Sequence, residues 1–113
     1  MKYAILIYET EQDFANRPTV KAAYNAYSQA LVEAGVIAGG AELHPAHTGT
    51  TIRLRAGERK VQDGPYADTK EQLGGLFIID VPNLDAAMDW AARCPAAGKC
   101  CVEVRPLVST AQE

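Results

Sequence analysis

The chain has 113 residues, 48 % apolar and 22 % charged, the balance of one globular domain over residues 1–113 rather than a disordered or fibrous chain. Fourteen acids against eleven bases leave a net charge of −3, and the bases are scattered among the acids, which argues against a nucleic-acid partner. No run approaches the roughly 20 apolar residues of a membrane span, and Glu9, Glu11 and Asp13 directly follow the short apolar start, unlike a secretory leader, so a soluble cytoplasmic protein is expected.

Lys2 to Tyr8 is rich in β-branched and aromatic residues and reads as a first strand, apolar on both faces. Glu9 to Pro18 is polar and ends at a proline, so it reads as a loop. Thr19 then caps a first helix whose buried face carries Val20, Ala23, Tyr24, Tyr27, Leu31 and Ala34 at three- and four-residue spacing. Gly35 supplies a left-handed end to that helix.

Val36 to Leu43 and Thr50 to Leu54 read as strands, with His44 and His47 in the loop between them. After a turn at Ala56-Gly57, Arg59 to Val61 continues the pairing, and Asp63-Gly64-Pro65 breaks it. Thr69 and Gln72 have the spacing of a capping box, but Gly74-Gly75 leaves room for no more than one turn of helix. Leu76 to Val81 has the look of a central strand covered on both sides.

Asn83 caps a second helix with Leu84, Ala87, Met88 and Ala91 as its buried stripe, and Cys94-Pro95 ends it. Cys100 to Leu107 alternates as a last strand, with a short polar tail beyond about residue 107 that is expected to fray. The three cysteines, Cys94, Cys100 and Cys101, offer no zinc-ligand set, so no metal or other cofactor is expected. Their reading is as reduced, buried or half-buried strand residues.

This order of elements predicts an α+β fold: a ferredoxin-like split βαβ sheet with two helices on one face. The other sheet face is left bare and apolar, which predicts a homodimer.

The stretch "DGPYADTKEQLGG" resembles the signature of the DGPF (DGPFAETKE) group of YCII-related proteins, with Tyr66 and Asp68 as departures. The resemblance extends through "AGVIAGGAEL", "TTIRLRAGERKVQDGP", "FIIDVPNLDAAMDWAARCPAA" and "VEVRPL". It implies a dimeric α+β barrel. It also implies a functional association, in some members, with an extracytoplasmic-function sigma factor. The wider superfamily includes a dehydrochlorinase of chlorinated hydroquinones, and a His-Asp pair is suggested as the active centre in part of it. This chain departs there: the helix position expected to carry histidine holds Tyr24, and the first helix has no histidine.

The candidate residues follow. Asp63 is either a turn residue accepting a backbone N–H or a proton-transfer group whose pKa is lifted by apolar neighbours such as Tyr66. Arg53 either pairs with Asp63, holds a substrate carboxylate, or is a solvated strand arginine. His44 and His47 are candidate proton shuttles. Tyr24, Tyr27 and Tyr66 are candidate ligand-binding phenols, with core packing and a wet phenol tip the better account of Tyr24 and Tyr27. Lys70 and Glu71 read as surface charge, and Gly74-Gly75 as a place where backbones pass closely. Two functional classes stay open. One is a homodimer that binds a small molecule or regulatory partner in an inter-subunit cleft. The other is a cofactor-independent lyase or isomerase acting on a small aromatic or carboxylated substrate through Asp63.

Overall fold

The structure, a computed structural model, describes residues 1–109. Strand β1 (Lys2–Glu9) is followed by a short helix α1 (Glu11–Ala15), a long helix α2 (Arg17–Glu33) and strand β2 (Ile37–Glu42). A hairpin of β3 (Thr50–Arg55) and β4 (Glu58–Asp63) precedes β5 (Gln72–Asp80), helix α3 (Leu84–Ala92) and β6 (Cys101–Pro106). β2, β5, β1 and β6 form, in that order, one antiparallel sheet, while β3 and β4 form a separate two-stranded sheet. This is the expected ferredoxin-like α+β arrangement, with the hairpin inserted between its second and third sheet strands. Among the described residues no helix is long and apolar enough to cross a membrane.

Alternation along β1 decides the layering. Tyr3, Ile5 and Ile7 are buried, while Ala4, Leu6 and Tyr8 between them are only half covered. The buried set joins Ile79 and Val81, Tyr27 and Leu31 of α2, and Ala87 and Ala91 of α3 in one core. Tyr27 meets Phe77 edge-on at 5.3 Å between ring centres and donates its hydroxyl hydrogen to the Trp90 carbonyl at 2.7 Å, tying both long helices to the same sheet face. Gly35, at φ +71°, ends the turn that follows α2, as expected. Asn83 caps α3 by accepting the Ala86 N–H at 2.9 Å.

Several expectations need correction. The segment read as a loop from Glu9 to Pro18 holds α1, capped by Thr10 and Asp13 in a reciprocal capping box, and the start of α2. Thr19 is no cap: Asn16 occupies that position and Pro18 lies in the first turn, where its missing N–H costs nothing. Thr69 and Gln72 form no capping box, because Gln72 already pairs with Glu9 as the first residue of β5. In α3 the inward row is Ala87 and Ala91, whose small side chains let the helix sit close. Leu84 and Met88, on the edge of the same stripe, are 48 % and 50 % exposed. Of the cysteines, Cys94 is buried after α3 rather than in a strand, and Cys101 is exposed. The expected fraying of the tail lies largely outside the described residues, although Leu107 still donates its N–H to the Lys2 carbonyl at 2.9 Å.

Candidate functional site

β1 and β5 run in register from Lys2 opposite Asp80 to Ile7 opposite Gly75, then slip: Tyr8 faces Leu73 and Glu9 faces Gln72. The extra residue is Gly74, a β-bulge next to the strand end. A side chain at Gly74 would collide with the Glu9 carboxylate, and Gly75 passes so close to β2 that an added Cβ would stand 2.8 Å from the Ala41 carbonyl oxygen. The two glycines therefore make room, one for the backbone of β2, as expected, and the other for an acid.

That acid is buried and partnered. Arg17, the first residue of α2, donates to Glu9 through two parallel bonds, Nη2–H to Oε1 at 2.7 Å and Nε–H to Oε2 at 3.1 Å. Its Nη2 also donates to the Gly74 carbonyl at 3.1 Å, and its Nη1 donates to Glu42 Oε1 at 3.2 Å. The guanidinium lies 4.5 Å from the centre of the Phe14 ring. Bonding to Glu9 raises the Arg17 pKa above its ordinary value, against the opposing effect of burial.

This cluster floors a cleft of about 250 Å³ between α2 and the sheet, with Ile7 and Phe77 among its apolar walls and Tyr24, Asn25 and Ser28 presented by α2. Burial, followed by the neighbouring Cys94 thiol, raises the Tyr24 pKa well above that of a free phenol, so Tyr24 offers an O–H and not a phenolate. Burial likewise pushes the Cys94 thiol up.

The residues singled out from sequence fall in two other places. Asp63 ends β4 opposite Thr50 and is exposed, sharing an open groove of roughly 650 Å³ with His47, Asp68 and Gln72. His44 is exposed in the loop before the 3₁₀ turn that carries His47. Arg53 does not pair with Asp63. It donates to Gln62 Oε1 at 3.1 Å and lies 5.4 Å from the centre of the Tyr66 ring. Tyr66 is 77 % exposed, so the burial it was expected to supply around Asp63 is absent. Ile52, Leu54 and Val61 share the exposed apolar face of this hairpin.

Tyr24 alone among the candidates lines the α2 cleft. Glu9, Arg17 and Glu42 were missed. An arginine directly before a proline at a helix start, eight residues after an acid that closes an alternating strand, was the available signal. It says nothing of the bulge that brings the two together.

A curated relative, the uncharacterised protein R00369 of Rhizobium meliloti (strain 1021), is 39 % identical over 116 residues, covering 95 % of this chain and 92 % of its own. Among solved structures the chain is similar to 5-chloro-2-hydroxyhydroquinone dehydrochlorinase from Burkholderia phenoliruptrix AC1100, in complex with 2,5-dihydroxybenzoquinone. That match has a TM-score of 0.62 at 18 % identity and covers 99 % of this chain and 98 % of the other. The profile of the YCII-related domain matches residues 1–110, and with the relative above this means that the chain belongs to the YCII-related family.

Proposed function

We propose that this protein binds a small ring-sized molecule in the cleft beneath α2 and works as a homodimer joined through the opposite sheet face. The observation that carries the first part is the cleft itself. It is a concavity of about 250 Å³ with apolar walls and a few convergent polar groups. At roughly 30 Å³ per water, that space suits a substituted six-membered ring. The dehydrochlorinase of similar fold was solved with such a ring, a dihydroxybenzoquinone, which agrees in size. Titration with ring compounds, followed by amide NMR, tests the reading. The resonances of Ser28, Gly74 and Gly75 are expected to move, and Ser28→Trp, which fills the cleft, is expected to abolish the movement while the fold persists. If no ring compound moves these amides, the cleft is not the ligand site.

The dimer reading rests on the face turned away from α2 and α3. Leu6 lies opposite Leu76 and Ala4 opposite Ile78 in the middle of the sheet, so the centre of that face is apolar, with no covering layer among the described residues. A second copy would remove it from water at about 25 cal/mol per Å² of apolar surface. Light scattering is expected to give twice the chain mass, and Ile78→Lys to give a single chain. A monomeric wild-type protein would refute this half of the proposal without touching the first.

A second reading is a lyase or isomerase that needs no cofactor. The groove shared by Asp63 and His47 and the dehydrochlorinase name of the fold neighbour both favour it. In that case Asp63 carries the proton, and chloride release from a chlorinated hydroquinone is the measurement to make.

A further inference from the structure

Resting on the cleft as the ligand site, the charge of its floor says which ligands it takes. Arg17 is the only basic residue lining the cleft among the described residues, and Glu9 and Glu42 line it too. Two carboxylates against one guanidinium (−2 + 1) leave a balance of −1. The guanidinium is also spent as a donor. Four of its five N–H groups are engaged by Glu9, Glu42 and Gly74, and Phe14 covers its ring-facing side. An arginine that clamps a substrate carboxylate needs two free parallel N–H groups, and those of Arg17 are on Glu9.

The positive end of α2 does not reverse this. A helix N-terminus carries about half an elementary charge, less than the net charge of the floor, and Pro18 removes one of the first-turn N–H donors that an anion would use. What remains for a ligand is acceptor capacity. Glu42 engages Arg17 through Oε1, and its side chain is 79 % exposed, so the rest of the carboxylate is open to a donor. Tyr24 stays a neutral phenol, and Ser28 and Asn25 can answer either polarity.

We infer that the cleft selects uncharged ring compounds whose hydroxyl groups donate hydrogen bonds, and turns away the same rings bearing a carboxylate. Glu42 is the residue that sets the preference, with Arg17 as the positioning residue that holds both acids.

Resorcinol and 3-hydroxybenzoate, which differ by one hydroxyl exchanged for a carboxylate, make the test at pH 7 by amide NMR titration. Resorcinol is expected to move the Ser28, Gly74 and Gly75 resonances with a Kd at least about tenfold below that of 3-hydroxybenzoate, the effect of one unpaired charge a few ångströms away at a protein surface. Glu42→Gln keeps an acceptor for Arg17 and is exposed enough to fold. It is expected to narrow the gap to about threefold or less. Equal or tighter binding of 3-hydroxybenzoate at these amides in the wild-type protein would overturn the charge argument and leave the cleft intact. So would a gap unchanged in Glu42→Gln. No movement of the cleft amides with either compound would instead remove the cleft reading on which the inference rests.

Discussion

Arg17→Met is expected to lower the melting temperature by about 10 °C, the larger part of it through the acid left behind. Glu9 and Arg17 expose only 11 % and 22 % of their side chains, so Glu9 cannot turn to bulk water when its partner goes. Breaking one side of a fully buried ion pair costs about 3–5 kcal/mol. Some exposure of this pair brings the expectation to about 2–3 kcal/mol, or near 10 °C for a domain of this size. Arg17→Lys is expected to rescue little of it, because a single ammonium cannot reproduce two parallel bonds to Glu9 and a third to the Gly74 carbonyl. The double variant Glu9→Gln/Arg17→Met, with no buried charge to strand, is expected to regain at least about half of the loss. Thermal denaturation of the three proteins decides it. If Arg17→Met melts within about 2 °C of the wild type, the pair is an ordinary surface contact and the floor of the cleft is not rigid.

Much of the fold was legible because it rests on periodicity and on local backbone chemistry. The β-branched and aromatic run from Lys2 to Tyr8 marked β1, although not which of its two apolar faces is buried, Asn83 marked the start of α3, and Gly35 marked the end of α2. The failures share one cause. Pro18 looked like a stop because a proline inside a helix is one, yet in the first turn it is harmless, and only the tertiary position of α2 says which applies. Leu84 and Met88 fit the same helical stripe as Ala87 and Ala91. The depth at which α3 docks, which its alanines permit, chose between the two edges of that stripe.

The site was harder to read. Tyr24 was found by spacing, but its partners in the cleft come from a strand end, a helix start and an edge strand, and a bulge sets their meeting point. Arg53, Tyr66 and Asp63 stood out by residue type and motif, which predict chemistry but not direction. In the folded chain Arg53 and Tyr66 contact each other, and Asp63 faces solvent.

Gly74→Ala is expected to cost about 2 kcal/mol, or some 8 °C in melting temperature, although no special backbone angle is involved. Gly35, Gly57 and Gly64 have positive φ and Gly74 does not, so alanine can adopt its conformation. The cost is one of space. The three atoms nearest to an added Cβ all belong to the Glu9 side chain, its Oε1 in collision, Cδ at 2.7 Å and Cγ at 3.1 Å. A flexible side chain would normally step aside at little expense. Glu9 cannot, because stepping aside breaks both bonds from Arg17 inside a buried pocket. Gly98→Ala is the control: nothing lies within 4 Å of its added Cβ, and the change is expected to stay within about 0.5 kcal/mol. The decisive comparison places Gly74→Ala in a Glu9→Ala background, where Oε1, Cδ and Cγ are gone. There the substitution is expected to cost less than about 0.5 kcal/mol, a coupling of about 1.5 kcal/mol between the two positions. A penalty that persists undiminished in that background would mean that the bulge itself requires glycine. The acid, the arginine and the cleft above them would then owe their placement to something other than the space left by a missing side chain.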